Sequence, residues 1–356
     1  MGGMKILALN SSPRTGGESM TELMLNHLTE GMLEAGAAVE VVNLREKTIK
    51  NCIGCLTCWT KTPGKCLQKD DMATELFPKW LASDMVVYAS PLYFHKMNAA
   101  MSTFIERTLP VAQPFFDHDG EKTFHPLRHK VPPAVWLSVC GFPEISEFNA
   151  LSDFIHRTRH QDAHLVAEIY RPAASFMMRF GDVKSDILDA TRSAGRQLVQ
   201  SMKISPETMA RITQPVVDAR TFAILGNMFW KTCIAEKVTP KEFGKKKMIP
   251  RPDSLESFMV MLSMGLNAKA ADHGEVSLQF TFSDRAGSSC HFVIENGKVT
   301  AREGKADQPD IIIETPFDMW LDIMTGKADG QKLFMEQQYK VTGDLALMLQ
   351  LFKKPD

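Results

Sequence analysis

The sequence carries almost no excess charge of either sign. Lys and Arg number 41 against 42 Asp and Glu, a formal net charge of −1. Bulk composition therefore offers no electrostatic footprint for nucleic acid or an acidic membrane surface, and no nucleic-acid partner is expected. Long apolar runs are missing as well. No segment approaches the roughly 18 consecutive apolar residues of a membrane-spanning helix, and the opening "MGGMKILALNSSPR" has no extended apolar stretch of the signal-peptide kind. A soluble, cytoplasmic protein without a transmembrane segment is the expectation. The loop after the first apolar run lacks the Lys of G-x-x-x-x-G-K-S/T and lacks G-x-G-x-x-G, which disfavours nucleoside triphosphate hydrolysis and the commonest dinucleotide fingerprint.

What is present fills 356 residues, enough for two domains. "MKILALN" reads as a buried strand, "SSPRTGGES" as a turn, "MTELMLNHLTEGMLEAG" as an amphipathic helix closed by Gly36, and "AAVEVVNL" as a second strand. Strand, glycine-bearing loop, helix and strand open a parallel α/β sheet. "DDMATELFPKWLASD" supplies a helix that Asp70 or Asp71 can cap. "MVVYAS", "PPAVWLSVC" and "HLVAEIY" supply three more strands, with helices in "NAAMSTFIERTL" and "SEFNALSDFIHRTRHQD". Five such units predict a doubly wound sheet with ligands beyond the strand C-termini. Residues 115–130 break the rhythm, and their Asp-Gly pair predicts a hairpin or flap. Helices over 182–202, 205–214 and 219–236 extend the first domain, expected to span 1–236. Residues 237–252, basic and proline-punctuated, read as a linker. From Asp253 to Asp356, a helix, alternating strands and further helical patterns make a small α+β domain.

Seven cysteines, an odd count, fit a reducing compartment, where clustered thiols point to metal or redox chemistry. Four lie in "NCIGCLTCWTKTPGKC". Cys52, Cys55 and Cys58 can wrap one iron-sulfur cube, with Pro63 and Gly64 turning the chain to return Cys66. Four thiolates also suit tetrahedral zinc, although structural zinc sites usually join two separate C-x-x-C knuckles. Free or reversibly oxidised thiols are the third reading, and spacing leaves all three open. Cys140, Cys233 and Cys290 default to small core residues, and no protein acid or nucleophile is assigned a catalytic role.

Ser11, Ser12, Arg14, Thr15, Gly16, Gly17, Ser19 and Thr21 follow the first strand into the first helix. Hydroxyls, amides, the positive helix end and one guanidinium can together hold a phosphate dianion; alone, the segment reads equally as a tight turn before a capped helix. Together with "SPLYFHKMNAAMSTFIER", "SVCGFPE" and the C-x-x-C-x-x-C run, "LNSSPRTGGES" resembles the flavodoxin-like NADPH-dependent FMN reductases, particularly their iron-sulfur flavoprotein branch, over about residues 4–235. The resemblance implies noncovalent FMN, its phosphate on Ser12, Arg14, Gly17 and Ser19. It places the ribityl chain and ring against Ser90, Pro91, Leu92, Tyr93 and Phe94, with Cys140 and Gly141 approaching from another side. It also implies NAD(P)H as electron donor, a [4Fe-4S] cluster on Cys52, Cys55, Cys58 and Cys66, and a homodimer. The chain departs from the family's pattern at Glu18, where Asn is common.

The succession "PDIIIETPFDMWLDIMTGKAD" then "KVTGDLALMLQLF" resembles the sterol-carrier-protein type-two domain over about residues 255–352. That resemblance implies a lipid-binding fold with an apolar tunnel, whose wall candidates include Phe317, Trp320, Leu321, Met335, Leu345, Met348 and Leu351; simple core packing is the plain alternative for each. The combined expectation is an FMN oxidoreductase serving a lipophilic acceptor. The alternative is an FMN and iron-sulfur electron carrier that exchanges electrons with a redox protein while its last domain binds lipid or mediates assembly.

Overall fold

The computed structural model describes residues 3–158, 164–271, 274–284 and 288–353. The chain divides into two compact units, Met1–Val217 and Asp218–Asp356.

In the first unit, β1 (Lys5–Asn10) leads through the glycine-bearing loop into α1 (Met20–Glu34), then β2 (Ala38–Asn43). After the cysteine loop come α2 (Phe77–Ala82), β3 (Met85–Tyr93), the short β4 (Lys96–Met97) and α3 (Ala99–Glu106). The expected hairpin forms from β5 (Asp117–His118) and β6 (Thr123–Phe124), turning at Gly120 with φ +97°. It is followed by β7 (Ala134–Val139), α4 (Asn149–Thr158), β8 (Leu165–Arg171), α5 (Gly181–Ser201) and α6 (Pro206–Thr213). The expected last turn of α4, residues 159–162, lies outside the described residues.

The parallel strands run in the order β2-β1-β3-β7-β8. This is the flavodoxin-like order, with its topological switch point between β1 and β3. Their apolar runs are buried on both faces, as the strong burial of β1, β3 and β7 requires. One face packs against α1 and α5 through Leu25, Leu28, Ile187 and Leu198, the other against α3 and α4 through Phe104 and Leu151. α1 and α5 cross closely because of Gly31 and Gly195. A Cβ on Gly195 would lie 2.0 Å from the Leu28 carbonyl oxygen, and one on Gly31 1.8 Å from that of Arg192. Neither contact is sterically allowed.

The helix expected over 70–84 is mixed. Met72–Leu76 is wound as a π-helix before α2 begins, and Asp70 Oδ1 accepts the Ala73 N–H at 3.1 Å.

The second unit begins earlier than its sequence pattern indicated. α7 (Ala219–Ala235), expected to close the first domain, belongs to it. The stretch expected to be a linker contains α8 (Pro240–Lys245), started by a capping box between Thr239 and Glu242. Phe243 of α8 is buried with its ring 4.9 Å from Phe229 of α7. Then α9 (Leu255–Gly265), β9 (Val276–Phe282), β10 (Ser289–Glu295), β11 (Lys298–Glu303), β12 (Ile311–Thr315), α10 (Phe317–Met324), α11 (Gly330–Met335), β13 (Lys340–Gly343) and α12 (Leu345–Phe352) complete it. The sheet order is β11-β10-β9-β12-β13, with β9 and β12 parallel and the other neighbours antiparallel. Phe258 of α9 sits among Phe280, Phe282, Phe292 and Phe317 in edge-on contacts. Phe317, Trp320, Leu321, Met348 and Leu351 are buried, whereas Met335 and Leu345 are exposed. Among the described residues, no helix is long and apolar enough to cross a membrane.

Ion pairs of Lys231 with Asp253, Lys327 with Glu236 and Arg251 with Asp322 tie α7 and the stretch after it to the C-terminal core. A fragment starting at Asp218 is therefore expected to unfold cooperatively and at a higher denaturant midpoint than one starting at Asp253. Equal midpoints would show that α7 and α8 contribute nothing to that unit.

Candidate functional site

Loops leaving the C-terminal ends of β1, β3 and β7 converge on one pocket of about 140 Å³. Of the residues expected to hold FMN, Ser12, Arg14, Ser19, Pro91, Leu92, Tyr93, Cys140 and Gly141 line it, joined by Met20, Thr21, Val139, Ala174 and Ser175. Gly17, Ser90 and Phe94 are not in that lining, and neither is Glu18, whose side chain is exposed.

The first loop is arranged as an anion site. Gly16 and Gly17 take φ of +66° and +80°, which lets the backbone turn tightly around the start of α1. Ser19 caps α1, its Oγ accepting the Glu22 N–H at 3.0 Å while its hydroxyl donates to Ser12 Oγ at 2.8 Å. Ser12 Oγ also accepts the Arg14 N–H at 3.3 Å. With two bonds accepted, the Ser12 hydroxyl hydrogen is left to donate outward. The amides of Met20 and Thr21, in the first helical turn, have no acceptor within the helix. One hydroxyl donor, helix-start amides and the exposed Arg14 guanidinium fit a phosphate ester. Arg45 braces the loop from behind, donating to the Ser12 carbonyl at 3.3 Å and pairing with Glu22; no local pattern marked it.

Ser90 acts behind the wall. It is fully buried, donates to the Pro91 carbonyl at 3.0 Å and accepts the Asn98 N–H at 3.1 Å. Asn98, which sequence reasoning missed, donates from Nδ2 to the Ser11 carbonyl at 2.6 Å and caps α3 by accepting the Met101 N–H. Its only local signal is an Asn placed before a helix. Phe94 and His95 form the two-residue turn between β3 and β4, with φ of +48° and +59°. Such turns favour Asn-Gly, because non-glycine residues there are strained by roughly 1–3 kcal/mol each. Phe94 is consequently held out in solvent, 95% exposed.

Cys140 takes its place in the wall as a neutral group. Burial pushes its thiol up to about 11, so it is protonated at neutral pH and is no nucleophile there.

The four clustered cysteines surround a separate small pocket, shared with Arg107 and Leu109. Cys58 is buried, Cys52 and Cys66 are half-buried and Cys55 is exposed. Burial pushes the Cys58 thiol up, and the charges of Cys66, Cys55 and Cys52 add to that rise, so each of those three sulfurs lies within electrostatic reach of Cys58. Gly54 and Gly64, at φ +63° and +78°, shape the loop. Among the described residues, no three His, Cys, Asp or Glu side chains converge on a point suited to one metal ion.

The loop is closed at its neck by a buried ion pair. Arg107, the C-cap of α3, donates through Nη1 to Asp70 Oδ2 at 2.6 Å and to the Lys50 carbonyl at 2.5 Å. Through Nη2 it donates to Asp70 Oδ1 at 3.0 Å and to Cys66 Sγ at 3.4 Å. Asp70 Oδ2 in turn accepts the Lys50 N–H at 2.9 Å. Residues before the first cysteine and after the last are thus fastened to one guanidinium.

Burial alone would raise the Asp70 carboxyl, but Arg107 and the Lys50 and Ala73 amides outweigh it and hold the group below its ordinary value. A depressed folded value means the stabilisation is complete above the ordinary carboxylate range, near pH 4, and disappears as pH falls through the lower folded value. Arg107→Leu, which strands a buried carboxylate, is expected to cost about 3–5 kcal/mol. It should also make residues 50–70 the first site of proteolytic cleavage, and Asp70→Asn should flatten the acid limb of the stability profile. Unchanged cleavage and an unchanged acid limb would show that the pair does not fasten the loop.

Known families match both units. The family described as NADPH-dependent FMN reductase matches residues 4–141, and the SCP-2 sterol transfer family matches residues 263–353. An iron-sulfur flavoprotein of Archaeoglobus fulgidus is 40% identical over 107 residues, 30% of this chain and 46% of that protein. An iron-sulfur flavoprotein of Methanocaldococcus jannaschii is 31% identical over 132 residues, 37% of this chain and 61% of that protein. The chain thus spans about half the length of the curated relatives it matches. A solved NAD(P)H:quinone oxidoreductase from Methanothermobacter marburgensis is similar at 16% identity and a TM-score of 0.41, over 55% of this chain and 96% of that one. The chain joins a flavodoxin-like domain, similar over residues 4–141 to the NADPH-dependent FMN reductases, to an SCP2-like domain.

Proposed function

We propose that the protein is an FMN-dependent oxidoreductase, drawing on NAD(P)H and delivering electrons to an external lipophilic acceptor, with a [4Fe-4S] cluster on Cys52, Cys55, Cys58 and Cys66. The observation that carries the flavin assignment is the convergence of Ser12, Arg14 and Ser19 with Tyr93, Cys140 and Gly141 on one pocket at the switch point. FMN, when bound, supplies hydride and single-electron chemistry. The chain's part is to position it and control access. Ser12, the first amides of α1 and Arg14 bind the phosphate, Pro91, Leu92 and Tyr93 offer a flat wall, and neutral Cys140 adds no charge to it. Half-exposed Tyr93 stands at the entrance.

Support for the cluster comes from the four sulfurs around a shared pocket, from the Arg107 donor at Cys66 Sγ, and from relatives that bear the iron-sulfur flavoprotein name. A single zinc would need its sulfurs about 2.3 Å from one point, whereas a cluster holds its cysteines around a cage. Hydrogen bonds to sulfur are one of the protein's means of setting a cluster's potential. The C-terminal domain is read as a lipid-binding module, on the strength of its SCP-2 match.

Arg14→Ala tests the flavin assignment. Loss of a charge-assisted contact of about 1.5–3 kcal/mol should raise the FMN dissociation constant by roughly tenfold or more. Riboflavin, which has no phosphate, should lose less than about twofold in isothermal titration. Equal losses for both ligands would remove the phosphate from this loop.

A further inference from the structure

A second pocket, of about 350 Å³ against about 140 Å³ at the candidate flavin site, lies elsewhere in the first unit. It lies toward the start of the strands, bounded by the first residues of β7 and β8, Ala134 and Leu165, whereas the flavin loops leave the strands' other ends. Its volume falls within the range of small-molecule sites. Trp80, Tyr88, Trp136 and Phe154 wall it, and aliphatic side chains fill most of the remainder. Glu106 is the one carboxylate in that lining, His125 and His164 are its only potentially cationic side chains, and no Lys or Arg is among it. With no fixed positive charge to offset Glu106, the mostly apolar pocket favours an uncharged molecule over a phosphate ester or carboxylate.

Tyr88 gives it direction. The Tyr88 oxygen accepts the Trp80 Nε1–H at 2.7 Å, so the phenol's own hydrogen is left to donate. The residue is only 8% exposed, and a buried O–H donor gains most from an acceptor brought by a ligand. Its ring also stacks on Trp136 of the neighbouring strand, centroids 4.8 Å apart, which fixes the hydroxyl's position.

The pocket adjoins the cysteine loop. Glu106 and Leu109 line both cavities. Trp59, next to Cys58, donates from Nε1 to the Leu109 carbonyl at 3.4 Å, and its ring lies 4.7 Å from that of His125, which lines the aromatic pocket.

We propose that this pocket binds a flat, uncharged aromatic molecule bearing a ring carbonyl, of the quinone or aromatic-ketone class, with Tyr88 donating to the carbonyl oxygen. Occupancy here is a property of the pocket itself. Its bearing on turnover rests on the reading above, in which such a molecule would be the acceptor, held beside the cysteine loop.

The test uses the oxidised full-length protein without NAD(P)H. The probe is 2,3-dimethyl-1,4-naphthoquinone, whose substituted ring positions block thiol addition, and binding is followed by equilibrium dialysis and tryptophan quenching. One saturable site per chain is expected. Tyr88→Phe should weaken quinone binding at least fivefold while leaving 2,3-dimethylnaphthalene, which lacks the carbonyls, within twofold. Trp80→Phe, which keeps the Tyr88 hydroxyl, should preserve the preference for the quinone. Ala134→Leu, filling the space, should weaken both ligands. Absence of saturable binding, an unaltered quinone affinity in Tyr88→Phe, or equal loss of preference in Trp80→Phe would overturn the proposal. Flavin content, measured on the same samples before probe is added, reports separately on the FMN assignment.

Discussion

The candidate flavin site depends on one buried amide. Asn98 binds the Ser11 carbonyl beyond β1, shares hydrogen bonds with Ser90 in β3 and caps α3. A doubly wound sheet parts its crossovers at the switch point, and that gap receives the ligand. A fully engaged polar group there holds the two loop stems at a fixed spacing, and removing it would leave the Ser11 carbonyl without that donor and the Met101 N–H without that acceptor. Ser138 extends the tie to β7 by donating to the Ser90 carbonyl at 2.9 Å. Three loop stems are set by one connected network, and the pocket's shape follows from it.

The cysteine loop is positioned by a second buried polar group with a different logic. Arg107 and Asp70 are nearly inaccessible, their side chains 1% and 0% exposed. A buried pair of this kind is weak evidence for net stability, because desolvation offsets much of the attraction. What it provides is specificity of place. Lys50, Cys66 and Asp70 cannot all satisfy one guanidinium unless the loop between them is closed in one way.

Much of the architecture was legible because its signals are local. The strand runs "KILALN" and "MVVYAS", the Ser19 cap, the Gly36 stop and the Asp-Gly hairpin turn each lie within a few residues of what they determine. The glycine-bearing turn between β1 and α1 was legible for the same reason. Asn98 and Arg107 were not, since their partners lie 87 and 37–57 positions away along the chain. Ser90 was read as a ligand contact because it stands at a strand end, but which way its hydroxyl turns depends on Asn98. Residues 237–252 looked like a linker from their charge, although Thr239-x-x-Glu242 is a legible capping-box pattern. Chain order and a resemblance over about residues 4–235 place helix α7 with the first domain, and only packing shows that it belongs with the second unit.

Two loops on one sheet, one with hydroxyl, amide and guanidinium donors that the proposed function assigns to a phosphate ester and one gathering four thiols, frame the proposed chemistry. The measurement that tests it most directly is the absorption spectrum of anaerobically purified protein, with flavin, iron and acid-labile sulfide quantified on the same sample. The account predicts one FMN with about four iron and four sulfide per chain. Protein that carries stoichiometric zinc, or that takes up flavin but no iron after anaerobic reconstitution, would contradict it.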